Sequence, residues 1–283
     1  MIRVEKMCFS YSKRNSFIND MNFNVDKGEI FGFLGPSGAG KSTVQKILTG
    51  ILKDYEGSVR VLGSEVKGSK RDFYQQIGVD FEFPNLYGKF TALENLNFFS
   101  SLYNRKGYDP MELLERVGLK NDAFKRVSEF SKGMKMRLSF IRAIQHKPML
   151  IFLDEPTSGL DPANARTVKD MILEQKREGR SILLTTHNMH DAEELCDRVA
   201  FIVDGSIKVV DTPDNLRLKK GSNAVTYTFN EGGSRHSGRA ALDGLHENRE
   251  FMDRLANRQV ISIHSEEQTL EDIFIEVTGR CLA

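Results

Sequence analysis

Residues 30–43 read Ile30-Phe31-Gly32-Phe33-Leu34-Gly35-Pro36-Ser37-Gly38-Ala39-Gly40-Lys41-Ser42-Thr43, an apolar run that passes straight into a glycine-rich segment. The first five residues have the length and character of a buried strand, and a helical pattern follows from Ser42 to about Thr49. The spacing is G-x-x-x-x-G-K-[ST]. Glycines let successive backbone N–H groups turn inward around an anion, and the helix that follows adds the positive end of its dipole. Gly35, Pro36, Ser37, Gly38, Ala39, Gly40, Lys41, Ser42 and Thr43 are therefore expected to cradle phosphates. Lys41 would bridge the outer two phosphates, and the Ser42 hydroxyl would ligate Mg²⁺. A chance glycine turn carrying Lys-Ser would have no reason to sit between an apolar strand and a helix.

A second segment answers the first. Leu150-Ile151-Phe152-Leu153 is an apolar strand that ends in Asp154-Glu155. In open α/β sheets ligands lie beyond the carboxyl ends of the strands, so the two acids arrive in the same crevice as the glycine loop. Asp154 is expected to hold Mg²⁺ through its water shell, and Glu155 to polarise an attacking water as general base. His187 ends a further apolar strand, Leu184-Thr185-Thr186-His187. Its imidazole could hydrogen-bond a terminal phosphate and the water. A single histidine after a strand is more often incidental, and its meaning here comes from its neighbours.

Outward from these segments, strand-like and helical runs alternate to about residue 210, which predicts an α/β core with a mostly parallel sheet. Ile2–Phe9 and Phe23–Val25 predict an antiparallel β edge near the N-terminus. Ser181–Thr185 and Val199–Val203 supply further core strands. Between about residues 85 and 147 the texture is helical. There Thr91-Ala92-Leu93-Glu94 forms a capping box, and Asp109-Pro110 opens another helix ended by Gly118. This region predicts a helical subdomain inserted in a core of residues 1–211. Residues 212–283 predict a small α+β domain. Val225, Tyr227 and Phe229 alternate along a strand from Asn223, and Gly232-Gly233-Ser234 is a polar break. A helix follows around Phe251–Leu255, then a strand at Val260–Ile263. Thr269 and Asp272 cap a last helix striped by Leu270, Ile273, Phe274 and Val277.

Bulk properties narrow the function classes. The chain has 283 residues, and 40 basic against 39 acidic side chains leave a formal charge of +1, which argues against a nucleic-acid partner. Cys8, Cys196 and Cys281 are three and far apart, which suits a reducing compartment and offers no metal spacing. The N-terminus lacks a signal-peptide pattern, and no run approaches the ~20 apolar residues of a membrane span. The expectation is a cytoplasmic protein, without membrane insertion of its own, that reaches a membrane only through a partner.

The remaining motifs carry a family resemblance. Phe130-Ser131-Lys132-Gly133-Met134 lies between the glycine loop and Asp154, and Pro156-Thr157-Ser158-Gly159-Leu160-Asp161-Pro162 follows Glu155. Over about residues 1–210 the chain resembles an ABC ATPase, with Phe130–Met134 as a variant of the signature motif, Ser158–Asp161 as the D-loop and His187 as the switch histidine. The resemblance implies a P-loop NTPase fold, ATP and Mg²⁺ as cofactors, and Tyr11 as the aromatic residue stacked on adenine. It also implies that Ser131 and Gly133 contact the terminal phosphate held by an opposite subunit, so that ATP joins a homodimer or a pair of different ATPase subunits. The ending Thr269–Arg280 and the Ser-Lys-Gly-Met signature resemble ATPase subunits of ABC-2-type exporters, which drive a separate transmembrane permease. Two positions depart from the family pattern. Lys132 replaces a signature glycine, and Glu82, in Ile77-Gly78-Val79-Asp80-Phe81-Glu82-Phe83-Pro84, falls where the family has glutamine. At that place Glu82 would join Ser42 and Asp154 at the metal; a register shifted by one residue, or a solvent-facing carboxylate, are the other readings. The competing function is a soluble ABC protein acting on ribosomes or DNA. A GTPase or small-molecule kinase would have no use for the signature and D-loop.

Overall fold

The computed structural model describes residues 1–12, 17–220, 224–265 and 268–280. Asn223 and Cys281 lie outside them. The chain divides into two compact units, Met1–Thr212 and Pro213–Arg280.

The first unit opens with β1 (Ile2–Phe9), β2 (Ile18–Val25) and β3 (Ile30–Leu34), followed by α1 (Lys41–Leu48). Next come β4 (Tyr55–Val61), β5 (Ser64–Glu65), the short α2 (Arg71–Tyr74) and β6 (Ile77–Asp80). Three helices follow, α3 (Ala92–Ser100), α4 (Pro110–Arg116) and α5 (Lys132–Ile144), before β7 (Leu150–Asp154) returns to the core. The unit closes with α6 (Pro162–Arg177), β8 (Ser181–Thr186), α7 (Met189–Leu195), β9 (Arg198–Val203) and β10 (Ser206–Asp211).

Two sheets result. The larger runs β10-β9-β3-β8-β7-β6, parallel except for β10, and the smaller is antiparallel in the order β2-β1-β4-β5. The mixed α/β class with a mostly parallel sheet is the one the sequence leads to. Strands β3, β7 and β8 are buried along their whole length, as strands covered on both faces must be. Phe31, Phe33, Phe152 and Leu183 join Phe23, Met21 and Val59 of the antiparallel sheet in one apolar core. Burying side chains of that size stabilises the fold by roughly 1.5–3 kcal/mol each.

The helices between β6 and β7 start where their side chains allow. Thr91 and Glu94 form a reciprocal capping box on α3, Asp109 caps α4 with Pro110 at its first position, and the Ser131 hydroxyl accepts from the Met134 N–H to open α5. Behind α5, Tyr103 stacks on His146 with ring centroids 3.6 Å apart. Burial pushes the His146 imidazole down to about 4, although a bond to the Ile77 carbonyl (2.9 Å) partly opposes this.

The second unit holds α8 (Pro213–Lys220), β11 (Ala224–Glu231), β12 (Ser234–Ala241), α9 (Arg249–Ala256), β13 (Val260–Ser265) and α10 (Leu270–Thr278). Its sheet is antiparallel in the order β12-β11-β13, and Val225, Tyr227, Phe229 and Phe251 form its core. Leu270, Ile273 and Phe274 of α10 are fully buried, while Val277 is only half-buried.

Several strands differ from the reading of the sequence, which singled out none at β4, β5 or β10. β2 begins at Ile18 rather than Phe23, because a register shift with Asp20 in the left-handed region (φ 43°) breaks the alternation. β12 has no counterpart in that reading, since Ser234-Arg235-His236-Ser237-Gly238 is polar throughout and exposed for most of its length.

Candidate active site

The sheet sets the site. β8 lies between β3 and β7, with Leu34 beside Thr186 and Asp154 beside Thr185. One row of strand ends therefore delivers the glycine loop, His187 and the two acids to the same edge.

The glycine loop needs its glycines. A Cβ on Gly35 would lie 2.2 Å from the Ile202 carbonyl oxygen, so the chain can leave β3 beside β9 only without a side chain. Gly40, with φ 110°, turns the backbone into α1 in a conformation that side chains disfavour. No side chain caps α1, so the first N–H groups of that helix remain for whatever the loop holds. The Lys41 ammonium donates to the carbonyls of Gly35 (2.6 Å) and Pro36 (3.2 Å). Burial lowers its proton affinity, while the charges of Glu155, Asp154 and Glu82 raise it. All three carboxylates thus act on the one ammonium.

At the opposite wall, the Thr185 hydroxyl donates to Asp154. Glu155 stands in the left-handed region (φ 52°), a strained backbone for a residue with a side chain, and its N–H donates to the Thr185 carbonyl (3.0 Å). Its two carboxylate oxygens are both held. Thr186 Oγ1 donates to Oε2 (3.2 Å), and His187 Nδ1 lies 2.8 Å from Oε1. A carboxylate only accepts, so Nδ1 carries the proton.

These groups surround a cavity of about 240 Å³, lined by Phe17, Ser37–Thr43, Glu82, Asp154, Glu155, Ser158 and His187. The donor set fits a nucleotide phosphate with a hard cation. Backbone amides and Lys41 would face anionic oxygens, while Ser42, Asp154 and Glu82 would offer oxygen ligands to a hard cation such as Mg²⁺.

Not every expected residue lies there. Tyr11 is 60% exposed and does not line the cavity; its hydroxyl hydrogen-bonds Thr43 Oγ1 (2.9 Å), and its ring meets Phe9 and Phe17 edge-on. The aromatic ring on the cavity wall is Phe17. Ser131, Gly133 and Asp161 also lie off the cavity. Ser131 caps α5, Asp161 caps α6, and a Cβ on Gly133 would lie 3.5 Å from Leu160. Thr185 and Thr186 were not singled out from the sequence. Two hydroxyls closing an otherwise apolar buried strand were the available signal.

An ABC transporter family model matches residues 18–158. The fluoroquinolones export ATP-binding protein of Mycobacterium tuberculosis (strain CDC 1551 / Oshkosh) is 49% identical over 284 residues, covering 100% of this chain and 94% of its own. A lantibiotic transport ATP-binding protein of Streptococcus pyogenes is 36% identical, covering 76% of this chain and 94% of its own. Among solved structures, an ATP-binding subunit of an ABC transporter superposes with a TM-score of 0.71 at 27% identity, covering 89% of this chain and 99% of that one.

Proposed function

The chain belongs to the ABC transporter ATP-binding proteins and hydrolyses ATP; from that premise we propose that it is the motor subunit of an ABC-2-type exporter, pairing around two ATP molecules and driving a separate transmembrane permease. One observation carries this reading. Lys41, Ser42, Asp154, Glu155 and His187 share a cavity, whereas Ser131 and Gly133 lie off it at the start of α5. A single copy surrounds a phosphate on one side only. A second ATPase subunit placed head to tail, a copy of this chain or a different one, would bring a Ser131–Gly133 helix start against that phosphate. ATP bound between them then favours the closed pair, and its hydrolysis releases it.

In this reading Gly35–Thr43 cradle the phosphates, and Lys41 neutralises the outer two. Ser42, Asp154 and Glu82 would hold Mg²⁺, which on binding supplies positive charge against the phosphate oxygens. Glu155 takes the proton of the attacking water. His187 and Thr186 fix its two oxygens, so that it acts from one orientation. The ring that packs against adenine is Tyr11, with Phe17 beside it on the cavity wall.

The permease needs a place to bear on this chain. An apolar groove of about 270 Å³, bounded by Ile51, Tyr74, Phe81, Phe99 and Tyr103, is flanked by exposed Phe83, Tyr87, Phe90 and Phe98. Exposed aromatic surface on this scale favours a protein partner. Among the described residues no helix is long and apolar enough to cross a membrane; in this reading the groove is where a membrane protein holds the subunit at the cytoplasmic face. The export function of the full-length relative supports the direction of transport.

Purification from membranes in mild detergent tests the reading. Recovery with a membrane-spanning partner supports it. Recovery with ribosomes or DNA and no membrane protein would replace it with the soluble alternative.

A further inference from the structure

The segment carrying Glu82 leaves β6 at Asp80 and has no regular structure of its own before α3. Its two ends are nonetheless tied to one side chain. Arg142, on α5, donates from Nη1 to the Asn85 carbonyl (2.6 Å) and from Nη2 to the Val79 carbonyl (3.3 Å). Its guanidinium also lies over the Phe99 ring of α3, 4.9 Å from the centroid. One turn earlier on α5, the Ser139 hydroxyl donates to the Asp80 carboxylate (2.6 Å). Residues 80–84 are thus a loop closed at its base by a single planar fork. Gln45 Nε2 also donates to the Asp80 carbonyl (3.4 Å), but Arg142 is the side chain that reaches both ends of the loop.

We infer that Arg142 is the positioning residue of the Glu82 loop, so that the helix beginning at Ser131 and Gly133 sets how Glu82 meets the nucleotide site. Arginine suits this task because its donors diverge in a fixed plane and can serve two carbonyls at once. Lysine in its place keeps the charge but presents one compact ammonium, without the planar fork that meets both acceptors. The loop would then be held at one end only. The inference rests on the reading that Glu82 works at the metal-nucleotide site, and its test separates the two.

Four forms of the full chain suffice: wild type, Arg142→Lys, Glu82→Gln and the double variant. Amide hydrogen exchange at residues 81–83 reads the loop directly, and affinity for a fluorescent ATP analogue, titrated against free Mg²⁺, reads the site. Arg142→Lys is expected to speed exchange in the loop about tenfold while the melting temperature changes little. It should also raise the Mg²⁺ concentration for half-maximal nucleotide binding about fivefold, and that shift should vanish in the Glu82→Gln background. Unchanged loop exchange in Arg142→Lys overturns the inference. So does a Mg²⁺ shift of the same size with and without Glu82, since Arg142 would then be acting through the fold at large. If Glu82→Gln alone leaves the Mg²⁺ requirement untouched, the reading of Glu82 as a metal-site residue falls, and loop exchange still decides what Arg142 does. Replacing Phe99 by Leu removes the ring under the guanidinium and leaves both carbonyl bonds available; it should leave loop exchange as in wild type.

Discussion

His187 and Glu155 meet nitrogen to oxygen at 2.8 Å, across the gap between the ends of β8 and β7. The histidine thus orients the glutamate before any substrate is considered, and the two can be separated by experiment.

Glu155→Gln keeps the size of the side chain and one of its two acceptor oxygens but removes its basicity. Steady-state phosphate release should fall about 10²- to 10⁴-fold, with nucleotide affinity within a few-fold of wild type. If the partner is another copy, light scattering should show a dimer that ATP stabilises and ADP does not. Retention of half the turnover would remove Glu155 from the role of base.

His187→Ala frees one oxygen of Glu155 while Thr186 still holds the other. The expected result is a lower kcat with little change in KM, by a smaller factor than Glu155→Gln produces. In a Glu155→Gln background the second substitution should add almost nothing, because the two residues act as one unit. Full additivity would mean that His187 works without Glu155.

Acid should weaken the fold through His146. The buried ring stays neutral down to about 4 in the folded chain, whereas in the unfolded chain it takes a proton below roughly 6.5. The folded state therefore binds fewer protons between these values. Its contribution is present in full above about pH 6.5 and is lost as pH falls toward 4, by up to ~3 kcal/mol. Asp80 works in the opposite sense over a similar range, since burial raises its carboxyl to about 7. The informative quantity is thus the difference in denaturant midpoints between wild type and His146→Gln, measured at several pH values. A difference that does not change with pH would refute the assignment.

In the second unit, the Tyr227 ring lies directly against Gly238, where a Cβ would come within 2.4 Å of it. Gly238→Val should displace the ring from the small core it shares with Phe229 and Phe251 and destabilise this unit by about 1–3 kcal/mol. Calorimetry should show the loss, while affinity for the fluorescent nucleotide stays at the wild-type value. An unaltered unfolding profile would mean that β12 contributes no packing worth the name.

Legibility followed physical cause. Ile30–Thr43 could be read because burial on both faces demands a continuous apolar run, and the loop tolerates only glycine where backbones nearly touch. Caps at Thr91, Asp109 and Thr269 were equally plain, since each is a local bond between near neighbours in sequence. β12 was not, because an edge strand can be held by its backbone alone and needs no apolar alternation. The supports of the site were hidden for a different reason. Thr185, Thr186 and Arg142 act on groups 31 to 63 positions away in sequence, and no local pattern records such meetings.

The placement of β8 between β3 and β7 makes the sheet a gauge. The glycine loop and the acid pair stand two strand spacings apart, roughly 9.5 Å, and that interval is set by main-chain hydrogen bonds. Side-chain exchanges at the rim can alter charge and basicity without widening the aperture. Substitution of Glu155, His187 or Lys41 should therefore change what happens to a ligand there far more than how large a ligand is admitted. To alter the calibre, it is the ladder of β3, β8 and β7 that would have to be rebuilt.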